Sequence, residues 1–426
     1  MTHADPGPQV ADALVALLLR PAGAAQPARD WTSQDWSRAR AIAREHRLGP
    51  LLHWRLTRDG IDVAAPAEAG AAFAAAFRAS TLRALALQAE LAAAARRLRE
   101  AGIESLALKG AQLALTVYPH PAMRPMRDID LLVRQEEVRR AYALFVAAGY
   151  APQPSGFTGD ARHVADQRRH ETPLCAPGSG IVVELHGRLH EVDDLARPDA
   201  STAVPDSVWR DRGVCMVAGE AVGVLSPTDL LLHLVVHACY HHHFDNGPCS
   251  FVDVARLLAS GGIDWPHLRA RCDACGWTRG LQLVLHAIDR HQGTAWAREA
   301  GAIPGPELDA LARTAVALSV QPQALRRELR LADQMTRAGG LGGRVAALWP
   351  KIFPSRAAIA ALEGRELRSW AFVPAYLGRW AHLSRAAAAM ARTRAGPQLA
   401  QRLRVQRPLV RQLVAWLHPK AGRDGS

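Results

Sequence analysis

The feature that constrains this chain most is a six-residue run, Asp128-Ile-Asp-Leu-Leu-Val133, which reads as a strand carrying two acids. Side chains alternate along a strand, so Asp128 and Asp130 project from one face while Ile129, Leu131 and Val133 enter a core. Two carboxylates on one face raise each other's proton affinity unless a cation lies between them. Hard oxygen donors in this arrangement suit Mg²⁺, which is usually held by one or two carboxylates together with substrate phosphates. Taken alone, an Asp-x-Asp is more often a strand end turning into a loop. The surrounding sequence argues for the metal reading. Upstream, Ser105–Leu108 is a short apolar run ending at Lys109-Gly110, and Ala111–Val117 reads as a short helix. Tyr118–Arg127 holds Pro119, Pro121 and Pro125 and reads as a loop. Gly110 lets backbone N–H groups approach a triphosphate, and a helix N-terminus favours negative charge. Lys109 adds a point charge for phosphate, and Arg124 and Arg127 precede the acid pair where they too can meet phosphate.

Downstream, Ile181–His186 reads as a second strand, with Val182, Glu184 and His186 sharing one face. A charged residue inside a β-branched run is costly unless it meets water or a metal. Glu184 is therefore the candidate third carboxylate, completing a site for two divalent ions with Asp128 and Asp130. An ion pair with one of the many arginines is the competing reading for Glu184.

The texture of the chain divides it into four stretches. Residues 1–102 read as helical. In this stretch Ala71–Arg99 is Ala-rich, with Leu82, Leu85, Leu91 and Leu98 expected roughly on one face, and Gly102 sits where a helix ends. Residues 103–225 read as an α/β domain, including a helix over Glu136–Ala148 closed by Gly149, with an unassigned insert at Pro152–Gly180. Residues 226–320 read as helical, opened by Ser226-Pro-Thr-Asp229 as cap, first-turn proline and box-like partner. Residues 321–426 read as a basic helical region, broken at Pro350, Pro354, Pro374, Pro397 and Pro408. The expected class is α+β, a small mixed sheet embedded among helices.

The charge balance is 52 basic against 40 acidic residues, a net +12, and only Lys109, Lys351 and Lys420 are lysines. The excess is spread along the chain, so it supports phosphate chemistry weakly and sequence-specific nucleic-acid binding not at all. The longest apolar runs, such as Leu14–Leu19, fall far short of the ~20 residues of a membrane-spanning helix. Met1–Asp12 lacks the cationic start of a secretory signal, so a cytoplasmic protein with reduced thiols is expected. The Arg-rich tail, Pro397–Pro419, could lie on an anionic membrane surface, but a packed basic helix broken at Pro408 is preferred. His233, His237 and His241 recur at four-residue spacing, followed by His242, His243, Asp245 and Cys249. With no His-Glu-x-x-His present, histidines facing a polar cleft are preferred over zinc ligands. Cys272-x-x-Cys275 has no second pair and reads as incidental. Phosphate-loop and nucleophile-elbow motifs are absent.

Lys109-Gly110, Tyr118-Pro119, Arg124, Asp128-Ile-Asp-Leu-Leu-Val133 and Glu184-Leu-His186 resemble the signature of a bacterial nucleotidyltransferase family within the DNA polymerase beta-type superfamily. The resemblance extends to His233, His237, His241 and Asp253-Val-Ala-Arg-Leu-Leu258. It implies a sheet flanked by helices, with two Mg²⁺ ions held by Asp128, Asp130 and Glu184. It further implies transfer of a nucleoside monophosphate from an NTP such as ATP to an acceptor hydroxyl. The acceptor class left open is a small molecule, peptide or glycan, with a role in natural-product peptide or polysaccharide biosynthesis. Lys109, Gly110, Arg124 and Arg127 are then the nucleotide-binding candidates, and His186, His237 and His241 the residues beside the acceptor or the metal ligands. The sequence departs from the superfamily at Lys109-Gly110, where Gly-Ser is usual, and at Gly187, where an aromatic is expected. The rival functions are transfer of another phosphate-linked group, a non-catalytic nucleotide-binding module that recruits a partner, and a toxin–antitoxin-like component.

Overall fold

The computed structural model describes residues 8–153, 172–190, 203–322, 372–394 and 397–419, with the single positions 201, 325 and 353. It is an α+β protein with one mixed seven-stranded sheet, β1 Ser105–Ala107, β2 Asp128–Val133, β3 Ala151–Pro152, β4 Leu174–Cys175, β5 Val182–His186, β6 Gly213–Val217 and β7 Glu220–Val224. The spatial order is β3-β4-β5-β2-β1-β7-β6. Two compact units can be distinguished, one drawn from residues 1–132, 188–322 and 412–426 and one from 133–187 and 323–411.

In the first unit, helices α1 (Pro8–Leu19), α2 (Ser33–His46), α3 (Gly49–Thr57) and α4 (Ala67–Glu100) precede the sheet. Thr32 caps α2 in a reciprocal box, its hydroxyl accepting from the Asp35 amide while the Asp35 carboxylate accepts from the Thr32 amide at 3.0 Å. Helix α3 lies so close to α4 that a Cβ at Gly49 would stand 2.8 Å from the Ala76 methyl. In α4 the expected single leucine face is corrected: Leu91 and Leu98 are buried, whereas Leu82 and Leu85 are exposed. At 100° per residue, Leu82 and Leu85 lie roughly opposite Leu91 and Leu98, and the buried face is built largely of alanines. Arg96 and Arg99 of α4 reach Glu220 of β7 at 3.4 and 2.5 Å.

Strand β7 pairs in parallel with β1, matching Leu106 to Gly223, and antiparallel with β6. A Cβ at Gly223 would lie 2.5 Å from the Ser105 carbonyl oxygen, so glycine is what lets these strands meet. Helix α5 (Lys109–Thr116) starts two residues earlier than the sequence suggests. Gln112 fixes it to the end of β7, its side-chain amide donating to the Leu225 carbonyl at 2.8 Å and accepting from the Leu225 amide at 3.1 Å. The predicted loop Tyr118–Arg127 contains one 3₁₀ turn, Pro121–Met123, tied to α4 by the Ser80 hydroxyl donating to Ala122.

Ser226 caps the helix Pro227–Val236 as its sequence indicates, and a π-helical turn, His237–His241, continues it. The helices Cys249–Ser260, Trp265–Cys275, Thr278–Gln292 and Pro306–Ser319 complete this part. The last helix, Pro397–Leu417, runs through Pro408 rather than breaking there. Leu413 and Leu417 are fully buried, and Arg279 both donates to the Trp416 carbonyl and stacks 5.4 Å from its ring.

In the second unit β3, β4 and β5 form an antiparallel meander. Helix α6 (Val138–Ala147) follows a 3₁₀ turn, and Phe145 meets Tyr150 edge-on at 4.8 Å. Gly187, where an aromatic is usual, has no space for a side chain: its Cβ would lie 2.3 Å from Gln135 Oε1 and 2.8 Å from Val138 Cγ2.

Candidate active site

Along strand β2 Ile129, Leu131 and Val133 are buried as the alternation requires of the core face, and Leu132 on the acids' face is buried as well. Asp130 is buried too and Asp128 is half-buried. Backbone pairing brings β2 beside the start of α5, the Leu108 amide donating to the Asp130 carbonyl at 3.0 Å. This seats the Lys109 ammonium 2.8 Å from Asp130 Oδ1. Lys109 does so from a left-handed backbone, φ 47°, a conformation that costs a side-chain-bearing residue about 1–3 kcal/mol. The Asp128 carboxyl is pushed above its ordinary value, first by burial and then by the Asp130 charge, with Lys109 and Arg127 opposing the shift. The two acids therefore lie close enough to repel.

Asp130 on β2 and Glu184 and His186 on β5 each offer a ligand atom. Two carboxylates and an imidazole suit a divalent cation. Within β5, His186 Nε2 is 3.8 Å from Glu184 Oε2. His186 thus belongs to the ligand-bearing group, as a donor that the paired-acid pattern alone did not single out.

At Gly110 a Cβ would lie 3.0 Å from Met126 Cγ and 3.8 Å from Arg124 Nη1. Arg124 itself is engaged elsewhere. Its Nε donates to Asp253 at 2.8 and 3.0 Å, and its Nη1 donates to the Pro125 carbonyl. The Tyr118 hydroxyl donates to the same Asp253 carboxylate at 2.7 Å, and Arg256 lies 5.0 Å over the Tyr118 ring. Burial and then the Asp253 charge push the Tyr118 phenol well up. This network ties both ends of the Pro-rich loop to the helix Cys249–Ser260 and so fixes the entry to Asp128. Arg127 is exposed, its carbonyl accepting from Arg83 at 2.9 Å.

The histidines form a ladder, with ring centroids 6.1 Å apart for His233–His237 and 5.6 Å for the stacked His237–His241 pair. His233 Nδ1 lies 3.1 Å from the Leu189 carbonyl, and His237 Nε2 lies 3.2 Å from His242 Nε2. His237, the middle rung, is held well below its ordinary pKa by burial, then by His242, then by the Lys109 charge. Cys272 is buried with its thiol pushed up to about 12 by burial, which makes it unreactive.

No curated protein and no solved structure matches the chain. A family described as uncharacterised nucleotidyltransferase matches residues 32–293, more than half of the chain, covering β1 to β7 and the histidine ladder. Paired acids beside a strained lysine and a closely approached glycine are thus found where the match lies, and the chain belongs to this nucleotidyltransferase family and is a transferase.

Proposed function

We propose that the protein transfers a nucleoside monophosphate from an NTP to an acceptor hydroxyl. The observation that carries this reading is the pair Asp128 and Asp130 on one face of β2, with Lys109 2.8 Å from Asp130. Asp128, Asp130 and Glu184 would hold Mg²⁺, with His186 beside them. A bound divalent ion would neutralise the carboxylates and stabilise charge on the phosphate oxygens.

The chain's own residues supply the rest. Lys109 pairs with Asp130 and presents positive charge to the phosphates. Gly110 admits phosphate oxygens to the first N–H groups of α5. Arg124, through Asp253, positions the loop, and Arg127 stands beside Asp128 to meet phosphate. In the reaction the acceptor oxygen forms a bond to the α-phosphorus as the bond to the bridging oxygen breaks. Pyrophosphate leaves, and the hydroxyl proton passes to the carboxylate cluster. Nucleotide retention without transfer, as in a partner-recruiting module, would leave the same acids in place without pyrophosphate release.

Incubation with each NTP, Mg²⁺ and a cell extract, followed by mass spectrometry, should reveal a product heavier by one nucleoside monophosphate. The Asp128→Asn/Asp130→Asn variant should form none. An equal yield from that variant would remove the assignment.

A further inference from the structure

A cavity of about 870 Å³ opens in the first unit, walled by α2, α3, α4 and the residues Pro125–Arg127 that lead into Asp128. Its floor is apolar, formed by Phe73, Pro50 and Met126 together with α4 alanines. Its other surfaces carry Arg40, Arg44, Arg47, Arg83 and Arg127, and no acidic residue lines it. Arg40 is neutralised by Glu68 at 2.5 Å, and Arg83 is occupied by the Arg127 carbonyl. Among the described residues Arg44, Arg47 and Arg127 have no side-chain hydrogen bond or ion pair. Arg47 closes α2 in the left-handed region, φ 57°. Its pKa is lowered by partial burial and then by the Arg127 charge, with Asp128 acting in the opposite sense. Guanidinium groups are thus gathered beside the acid pair with too little negative charge from the chain to balance them.

Neither Lys109 nor Gly110 lines this cavity. The phosphates of an NTP bound at the start of α5 and met by Arg127 would therefore leave Arg44 and Arg47 unused. A volume of this size is ordinary for a small-molecule site, about 300–1,000 Å³, and too small for a folded partner. The combination of apolar floor and arginine rim selects a ligand with an apolar body and an anionic group. We propose that this cavity is the acceptor site, and that the acceptor is a small molecule bearing a phosphate or a carboxylate on an apolar body. Calling the ligand an acceptor rests on the nucleotidyl-transfer reading, whereas the anion site stands on its own geometry.

The test is isothermal titration of the full chain with hexyl phosphate, hexanoate and hexanol, and separately with Mg²⁺-NTP. The variants are Arg44→Gln/Arg47→Asn, which removes charge, and Ala79→Trp, which fills the cavity from an exposed position of α4. If the arginine variant fails to fold, Ala79→Trp carries the test alone. The expected result is binding of an anionic probe, weakened at least tenfold in either variant, with Mg²⁺-NTP affinity unchanged. A stronger response to hexyl phosphate names a phosphate-bearing acceptor, and a stronger response to hexanoate a carboxylate-bearing one. Absence of anion binding, equal binding of hexanol, or anion affinity unchanged by the variants would overturn the proposal. A parallel loss of Mg²⁺-NTP affinity would overturn it too, making the cavity part of the nucleotide site. Failure of the wild type to bind any Mg²⁺-NTP would instead sink the nucleotidyl-transfer reading, leaving the anion site to its own titration.

Discussion

Lys109 keeps an unfavourable backbone conformation while placing its ammonium on the buried Asp130 carboxylate. Replacing it with methionine removes the charge and retains the strain. Lys109→Met is expected to lower stability by about 1–3 kcal/mol in EDTA, and Mg²⁺ should restore much of the loss if the acids hold a cation. Thermal unfolding with and without Mg²⁺ reads this directly, and a loss indifferent to Mg²⁺ would count against the metal site. Asp253, 2% exposed, depends on Arg124 and Tyr118 together. Arg124→Ala leaves a buried carboxylate without its cation and should cost about 3–5 kcal/mol. Tyr118→Phe removes one hydrogen bond and should cost about 1–3 kcal/mol. Chemical denaturation would order the two. His53, His237 and His291 are each lowered from 6.5, burial being the main cause. Above pH 6.5 both folded and unfolded chains hold them neutral and they contribute no pH dependence. Below it the unfolded chain takes up protons first, so stability falls as pH drops towards the lowered folded values. The effect is largest for His237, whose folded value lies well below 6.5, where the slope approaches about 1.4 kcal/mol per pH unit. His237→Gln should flatten the stability curve measured between pH 6.5 and 5.

Among the elements, the parts of the sheet with a strong local pattern were legible in the sequence. Strand β2 has the predicted bounds, and β5 differs by one residue, because in both the residues of the core face, Ile129, Leu131 and Val133 or Val183 and Leu185, are buried as the pattern requires. The hairpin β6–β7 was not anticipated. Its signal was Ala218-Gly219, which turns with φ 49° and 85°, between two Val-rich runs interrupted by small residues. Helix α4 shows why spacing of leucines alone misleads: an Ala-rich helix can bury alanines against a sheet and leave leucines outside. Leu91→Ala should cost about 2–5 kcal/mol, whereas Leu85→Lys should change stability by no more than ~0.5 kcal/mol. Equal effects in urea unfolding would contradict the observed burial. Of the candidate site, the acid pair, Glu184 and the Lys-Gly step were visible as a motif. The role of Asp253 as anchor for Tyr118 and Arg124 was not, since no local pattern links residues more than a hundred positions apart.

At the scale of the whole molecule, the +12 charge takes on a local meaning. Part of the excess is committed to structure, as in Arg55 on the Leu17 carbonyl or Arg279 on Trp416, and part gathers beside Asp128. Among the described residues no helix is long and apolar enough to cross a membrane. The final turns of the chain are buried by Leu413 and Leu417, which agrees with a packed helix in preference to a surface-lying one. The family match ends at residue 293, so the activity is expected to reside upstream of the last hundred residues. The most direct test of the central claim is titration of the full chain with each of the four NTPs in Mg²⁺ and in EDTA, for wild type and Asp128→Asn/Asp130→Asn. The account predicts that at least one NTP binds the wild type in Mg²⁺ and loses tenfold or more in affinity on chelation or in the variant. Equal affinity in all three conditions would contradict it.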